Sequence, residues 1–190
     1  MARFDVALHL IGEQNIPNYI AIKHLDAEKH ILLATKKMAD VAKRLKGSLI
    51  EYGSRIVIED VADAFQLGGL IAQFTTLRQR YEGKRIALNV TGGTKLMAIT
   101  LLNTFYGKQD GLVKLLKRCC MPFRRDKNVE SFYVEAHGRN ELISITKNKS
   151  VPLVPCFEDV KTFVSLQTPE LLSRYKDRHP SEAEFTVARR

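Results

Sequence analysis

The chain predicts a mostly parallel, doubly wound α/β sheet, and three observations carry that prediction. Short apolar runs of strand length alternate with segments of helical periodicity. The two loops richest in glycine and amide side chains follow the first and fourth strands, which flank the ligand crevice in the usual doubly wound order. The segment Asn89-Val-Thr-Gly-Gly-Thr-Lys-Leu-Met97 leads straight from a strand into an apolar helix.

The elements follow in order. Phe4 to Leu10 is an apolar run of strand length. A loop, Gly12-Glu13-Gln14-Asn15, comes next, and Pro17 suits the first turn of a helix reaching about His24. Ile31 to Thr35 reads as the second strand, and Lys36 to Lys46 as a helix turning Met38, Val41, Ala42 and Leu45 inward. Arg55 to Glu59 is the third strand. Asp60 is expected to cap a helix carrying Val61, Ala64, Phe65, Leu70, Ile71, Phe74, Leu77 and Tyr81, with Gly68-Gly69 interrupting it. Ile86 to Val90 is the fourth strand. The helix after it is apolar almost all round and is expected to be well buried.

After Tyr106 the rhythm changes. Val129 to Glu135 and Leu142 to Thr146 read as a C-terminal β-hairpin across His137-Gly138-Arg139-Asn140. Asp159 to Leu166 is expected to form a short terminal helix, and Tyr175 to Arg190 is polar. The expected division is a domain over 1–150 and a helix with a tail, or linker, over 151–190.

The Thr91–Lys95 turn carries the chemistry. Adjacent Gly92 and Gly93 let the backbone approach a ligand closely, and free N–H groups at a helix start attract anions. Lys95 sits in the first helical turn, where the helix dipole disfavours a cation. An anion between lysine and amides removes that conflict, and phosphate is the favoured one. The plainer alternative is a tight strand-to-helix turn with a solvated lysine. The doubly wound order gathers Glu13, Gln14, Asn15, Thr91, Thr94 and Lys95 around one cleft, with Thr35 and Lys36 beside it.

Familiar cofactor motifs fail. Neither Gly-x-Gly-x-x-Gly nor Gly-x-x-x-x-Gly-Lys-Ser/Thr occurs, which disfavours a nucleotide-cofactor enzyme. His9, His24, His30, His137 and His179 show no metal-ligand spacing, and His9 on a strand reads as structural. No cofactor and no metal are expected. Three cysteines, with Cys119 and Cys120 adjacent, make no disulfide framework and suit a reducing cytoplasm. No signal-peptide pattern opens the chain, and no run of apolar residues is long enough to cross a membrane.

Thirty Lys and Arg against 21 Asp and Glu give 190 residues a net charge of +9. That balance favours a phosphate-rich partner, nucleotide or nucleic acid. The densest basic segment, 114–127, offers only Phe123 for stacking on a base.

These residues resemble a CARF domain, the CRISPR-associated Rossmann fold sensor of type III CRISPR ancillary proteins. Asn89-x-Thr91-Gly92-Gly93-Thr94-Lys95-x-Met97 is similar to the family's signature after its fourth strand. Gly12-Glu13-Gln14-x-x-Pro17-Asn18 resembles the loop after its first, and Thr35-Lys36 stands where members place polar residues after the second. The resemblance covers roughly residues 3 to 107 and implies a Rossmann-like fold. It also implies a homodimer that binds a cyclic oligoadenylate across its two-fold axis to control an effector in antiviral defence. Tetra-adenylate is favoured, with hexa-adenylate the second ring size.

On that reading Lys95, Thr94 and the Gly92-Gly93 amides hold phosphates. Glu13, Gln14 and Asn15, with Gly12, Asn18, Thr35, Lys36 and Thr91 around them, read adenine edges and ribose. The basic excursion 111–128 departs from the family pattern. After about residue 147 the chain is too short for an effector domain, so the effector is expected elsewhere in a longer chain or on a separate protein. Two alternatives differ in class. A slow, metal-independent ring nuclease would rely on Lys95 and Thr94. A nucleic-acid-binding protein would use segment 114–127, although long nucleic acid is not the expected partner of this domain.

Overall fold

The computed structural model describes residues 3–61, 63–106, 127–135 and 141–152. Strands β1 (Phe4–Leu10), β2 (Ala27–Thr35), β3 (Ile56–Val61), β4 (Ile86–Asn89), β5 (Val129–Glu135), β6 (Glu141–Ser144) and β7 (Lys149–Pro152) form one sheet. Its order is β3-β2-β1-β4-β5-β6-β7. The first five strands run parallel, and β6 and β7 add antiparallel. The helices are α1 (Ile16–His24), α2 (Ala39–Gly47), α3 (Leu67–Arg80) and α4 (Lys95–Tyr106).

The two faces are covered by different pairs of helices. On one, Tyr19 and Ile22 of α1 and Ala42 and Leu45 of α2 join Ala7, Leu32, Ala34, Phe132 and Val134 in one core. On the other, Leu70, Phe74 and Leu77 of α3 and Met97, Leu101 and Phe105 of α4 close over Val6, Leu8, Leu10, Ile31 and Leu88. Strands buried on both faces favour apolar side chains at most positions, which is why β1 and β4 read as near-continuous runs broken only by Asp5, His9 and Asn89. The doubly wound, mostly parallel sheet expected from the sequence is the sheet observed.

Several boundaries differ from the sequence reading. Strand β2 begins four residues early, at Ala27, because its backbone pairs with β1 from Phe4 onward even where Glu28 and Lys29 are exposed. Lys36–Met38 form a 3-10 turn before α2 starts. Asp60 does not cap a helix. Strand β3 continues through Asp60 and Val61, paired with Ala34 and Thr35, and α3 starts only at Leu67. The turn is organised instead by Asp63, whose carboxylate accepts from Phe65 N–H at 2.9 Å while its carbonyl accepts from Gln66 N–H at 3.0 Å. The Asp60 carbonyl accepts a hydrogen bond from Gln73. Gly68 and Gly69 therefore lie in the first turn of α3, not its middle.

The expected hairpin is present as β5 and β6, but β5 is also the fifth parallel strand, bonded to β4. A further strand, β7, extends it around a turn in which Asn148 takes φ 51°, a left-handed conformation asparagine tolerates. Thr146 Oγ1 ties this end together. It accepts from Ser131 N–H at 2.8 Å and pairs with the Tyr106 hydroxyl at 2.9 Å.

Helix α4 is less buried than its composition implies. Met97, Leu101 and Phe105 face the core, yet Ile99 is 57% exposed and Leu96, Ala98 and Leu102 are only partly covered. The loop 137–140, the basic segment 114–127 apart from Lys127, the helix over 159–166 and the terminal tail lie outside the described residues. Among the described residues no helix is long and apolar enough to cross a membrane.

The loops after β1 and β4 lock back to back. A Cβ on Gly12 would stand 2.9 Å from Gly93 N, and one on Gly92 would stand 2.1 Å from the Leu10 carbonyl oxygen. Gly93 has φ 72°, and a Cβ there would touch the Leu10 side chain. By contrast a Cβ on Gly68 meets nothing within 4 Å. Gly92→Ala is expected to destabilise by about 1–3 kcal/mol or more through overpacking. Gly68→Ala is expected to stabilise by up to about 1 kcal/mol. Urea denaturation of the two variants beside the parent checks both signs.

Candidate functional site

One cavity, of about 790 Å³, opens over the carboxyl ends of all five parallel strands. Clefts of roughly 300–1,000 Å³ are the usual size for small-molecule sites. Gly12, Glu13 and Gln14 enter it after β1, and Thr35, Lys36 and Lys37 after β2. Asp63, Ala64 and Phe65 follow β3, Thr91 to Thr94 follow β4, and Tyr133 and Val134 come from the end of β5. The crevice lies where β1 and β4 pair and strand order reverses, the place doubly wound sheets reserve for ligands.

Nine of the residues singled out by sequence therefore meet here: Gly12, Glu13, Gln14, Thr35, Lys36, Thr91, Gly92, Gly93 and Thr94. Three do not line it. Asn15 and Asn18 are fully buried and their amides serve the fold, Asn15 Nδ2 donating to Val41 O at 3.0 Å and Asn18 Nδ2 to Leu10 O at 3.1 Å. Lys95 is exposed at the start of α4 and lies outside the cavity wall of the single chain. Lys37, Asp63, Phe65 and Tyr133 were not singled out. Lys37 had a signal in its neighbour Lys36, whereas Phe65 was hidden by its placement on a helix.

Thr94 and Thr91 are held by their own hydroxyls. Thr94 Oγ1 accepts from Met97 N–H at 3.2 Å, capping α4, and donates to the Ala64 carbonyl at 3.3 Å. Thr91 Oγ1 donates to Asn89 Oδ1 at 2.7 Å and accepts from Val134 N–H at 2.8 Å, clamping the loop between β4 and β5. The cavity's charges are mixed. Lys36 and Lys37 stand with Glu13 and Asp63, and Lys37 lies 4.0 Å from Glu13, both largely exposed.

Beneath the loops runs a buried polar chain. Asn89 Oδ1 accepts from Thr91 N–H, which turns Asn89 Nδ2 toward Asn18 Oδ1 at 2.8 Å and His9 Nδ1 at 3.2 Å. His9 Nδ1 thus accepts, so its proton sits on Nε2 and is donated to His30 Nδ1 at 3.0 Å. That leaves the His30 proton on Nε2, a buried atom with no hydrogen-bond partner. The His30 ring stands edge-to-face on Tyr52, centroids 5.5 Å apart. Histidines 21 residues apart give no sequence signal of such pairing. Among the described residues no group of three His, Cys, Asp or Glu is placed to hold a metal.

Both imidazoles are kept neutral. Burial pushes His30 down to about 4, helped by the positive charge of Arg55, and burial then the neighbouring His30 hold His9 well below the usual histidine range. Because the folded values lie below the unfolded one, the unfolded chain takes up protons first. The stability they support is present above about pH 6.5 and is lost as pH falls toward 4. The expected slope is about 1.4 kcal/mol per pH unit for each histidine. Thermal melts between pH 7.5 and 4.5 should fall steeply for the parent and less steeply for His30→Gln.

Comparison with known proteins agrees with this architecture. Residues 6–115 match the family model described as the Card1 CARF domain. No curated protein matches by sequence. Among solved structures, Can2 from Sulfobacillus thermosulfidooxidans, determined in complex with cyclic tetra-adenylate, superposes with a TM-score of 0.66. The identity is 19%, over 85% of this chain and 40% of that one. Protein VC1899 from Vibrio cholerae also gives a TM-score of 0.66, at 10% identity over 85% of this chain and 38% of that one. At such identities the likeness is one of fold, and the chain spans about two fifths of the length of either protein. The family match covers more than half of the 190 residues and runs from β1 through both glycine loops and α4. The chain belongs to the Card1 CARF domain family.

Proposed function

We propose that this chain is a sensor domain that binds a cyclic oligoadenylate across a homodimer and thereby controls an effector in type III CRISPR defence. Tetra-adenylate is the favoured ring and hexa-adenylate the second. The observation that carries the reading is the cavity at the β1/β4 switch point, built from two interlocked glycine loops in a chain of this family. The Can2 structure, with cyclic tetra-adenylate bound, supports the ligand class.

The physical fit has three parts. The capped amino end of α4 adjoins the cavity, with a field that favours phosphate. Lys36 and Lys37 add cationic donors, and Glu13 and Gln14 offer acceptors and an amide for base edges. The partly uncovered apolar stripe of α4, Leu96, Ile99 and Leu102, suits a two-fold contact beside the cavity. A two-fold axis there presents each loop twice, as a ring of repeating nucleotides requires. Lys95, exposed at the head of the same helix, then faces the ring from both protomers. The effector belongs to a longer chain or to a separate protein, and the domain works in the cytoplasm.

Calorimetric titration with cyclic tetra- and hexa-adenylate tests the ligand, and light scattering tests the assembly. One ring per two chains, with a dimer at micromolar concentration, is the expected result. A monomer with and without ring, or no heat with either ring, would sink the proposal. Lys95→Ala should remove two charge-assisted phosphate contacts at about 1.5–3 kcal/mol each, roughly 3–6 kcal/mol together. That is about two to four decades of affinity. The melting temperature of the free protein should stay level or rise slightly, because a cation leaves the positive end of a helix. A large drop in melting temperature with affinity intact would make Lys95 a structural residue.

A further inference from the structure

Phe65 is 78% exposed, yet nothing in the fold leaves it there by default. Its turn is fixed from both sides. The Asp63 carboxylate accepts the Phe65 N–H, and the Ala64 carbonyl accepts the Thr94 hydroxyl at the head of α4. Ala64 packs against the core while Phe65 is turned out into the cavity. Tyr133 stands out in the same way. Strand alternation buries Phe132 and Val134 on one face and leaves Tyr133 on the other, 43% exposed and lining the same cavity.

The placement of these two rings follows a pattern. Phe65 follows β3 and Tyr133 lies in β5, so β2, β1 and β4 run between them. Four strand spacings put the two elements about 19 Å apart. The glycine loops that follow β1 and β4 occupy the middle. An aromatic ring thus flanks each side of a centre built of backbone amides, a helix start and lysines. Exposed aromatics beside groups that take the phosphates are a means by which proteins hold unpaired bases, because every base offers a π-face. Here the charged lining is mixed, and the phosphate donors are the helix start and loop amides together with Lys36 and Lys37.

We infer that Phe65 and Tyr133 are base-stacking residues, each taking the face of an adenine whose phosphates sit at the glycine loops between them. This rests on the cyclic oligoadenylate reading and deepens it. The bases splay outward from a phosphate centre, and the aromatic walls, with the polar groups of Glu13 and Gln14, set the preference for purines. The alternative occupant of Phe65 is a second copy of this chain, which would bury it in the dimer contact without touching a base.

The probe is cyclic tetra-adenylate, plain and with 2-aminopurine in place of adenine, titrated into the full chain and its Phe65→Ala, Phe65→Tyr and Tyr133→Ala variants. Stacking on an aromatic side chain is expected to quench 2-aminopurine fluorescence in the parent and in Phe65→Tyr. Each alanine variant removes one stacked base per protomer, two per ring, and should weaken binding by roughly 30- to 20,000-fold. Quenching should fall in step with dimerisation unchanged. The melting temperature should hold for Phe65→Ala, whose side chain is 78% exposed, and fall only modestly for Tyr133→Ala, whose side chain is 43% exposed. If the parent binds the ring but both alanine variants bind within two-fold of it and quench equally, the stacking assignment is wrong while the ligand reading stands. Phe65→Ala that weakens dimerisation and leaves quenching intact overturns the assignment in favour of a protein contact. No binding by the parent removes the ligand reading, and the stacking assignment with it.

Discussion

The close approach of two backbones at the top of β1 and β4 is the constraint on which the site depends. The Gly12 loop and the Gly92-Gly93 loop meet with no room for a side chain at Gly12 or Gly92, while Gly93 is held at φ 72° with the Leu10 side chain 3.0 Å from where a Cβ would stand. The distance of 2.1 Å from a would-be Gly92 Cβ to the Leu10 carbonyl is far inside van der Waals contact. These glycines serve packing between loops first. The same contact brings the chain after the first strand and the start of α4 to one crevice, so the cavity is a product of the fold's tightest joint.

Polar groups then hold the joint in register. Asn18 and Asn89 satisfy each other, the Leu10 carbonyl and the Thr91 amide, and Thr91 in turn bonds across to β5. Such a network is stabilising only when its members are satisfied, because leaving a buried polar group unpaired costs about 1–3 kcal/mol against the roughly 0.5–1.5 kcal/mol that a hydrogen bond contributes. Here the chain of bonds runs from the loop through His9 to His30 and ends on an imidazole N–H with no acceptor. That loose end on the α2 side is the least satisfied point in a system otherwise closed.

The sequence made the parallel core legible because burial on both faces writes itself as apolar runs, as in Phe4–Leu10 and Ile86–Asn89. It made the glycine loops legible because they had a sequential signature, and most of the cavity wall came with them. What it hid were contacts between residues far apart in the chain. Asn15 and Asn18 carry the right chemistry for a ligand, but which way an amide points on a helix is decided by tertiary packing, here by Val41 and Leu10. Asp60 and Asp63 are both plausible turn formers, and only the pairing of β3 with β2 selects Asp63. Phe65 was lost with that choice, since a residue read as helical core lies in the structure on an exposed turn. Strand β7 was missed because Lys149–Pro152, exposed at every position, carries no alternation to read.

The clamp made by Thr91 has one more consequence. Its hydroxyl joins the strand that precedes the glycine loop to the neighbouring strand, and Thr94 joins the loop to the turn after β3. Both anchors are side chains of the loop itself, so the cradle is set before anything occupies it. A pre-set cradle spares a ligand the entropy of ordering it. It also removes one way of reporting occupancy, because a loop already folded has no disorder left to surrender. On the sensor reading proposed above, a message from this crevice travels as displacement of whole helices or of one subunit against another, which would make the domain a lever instead of a latch.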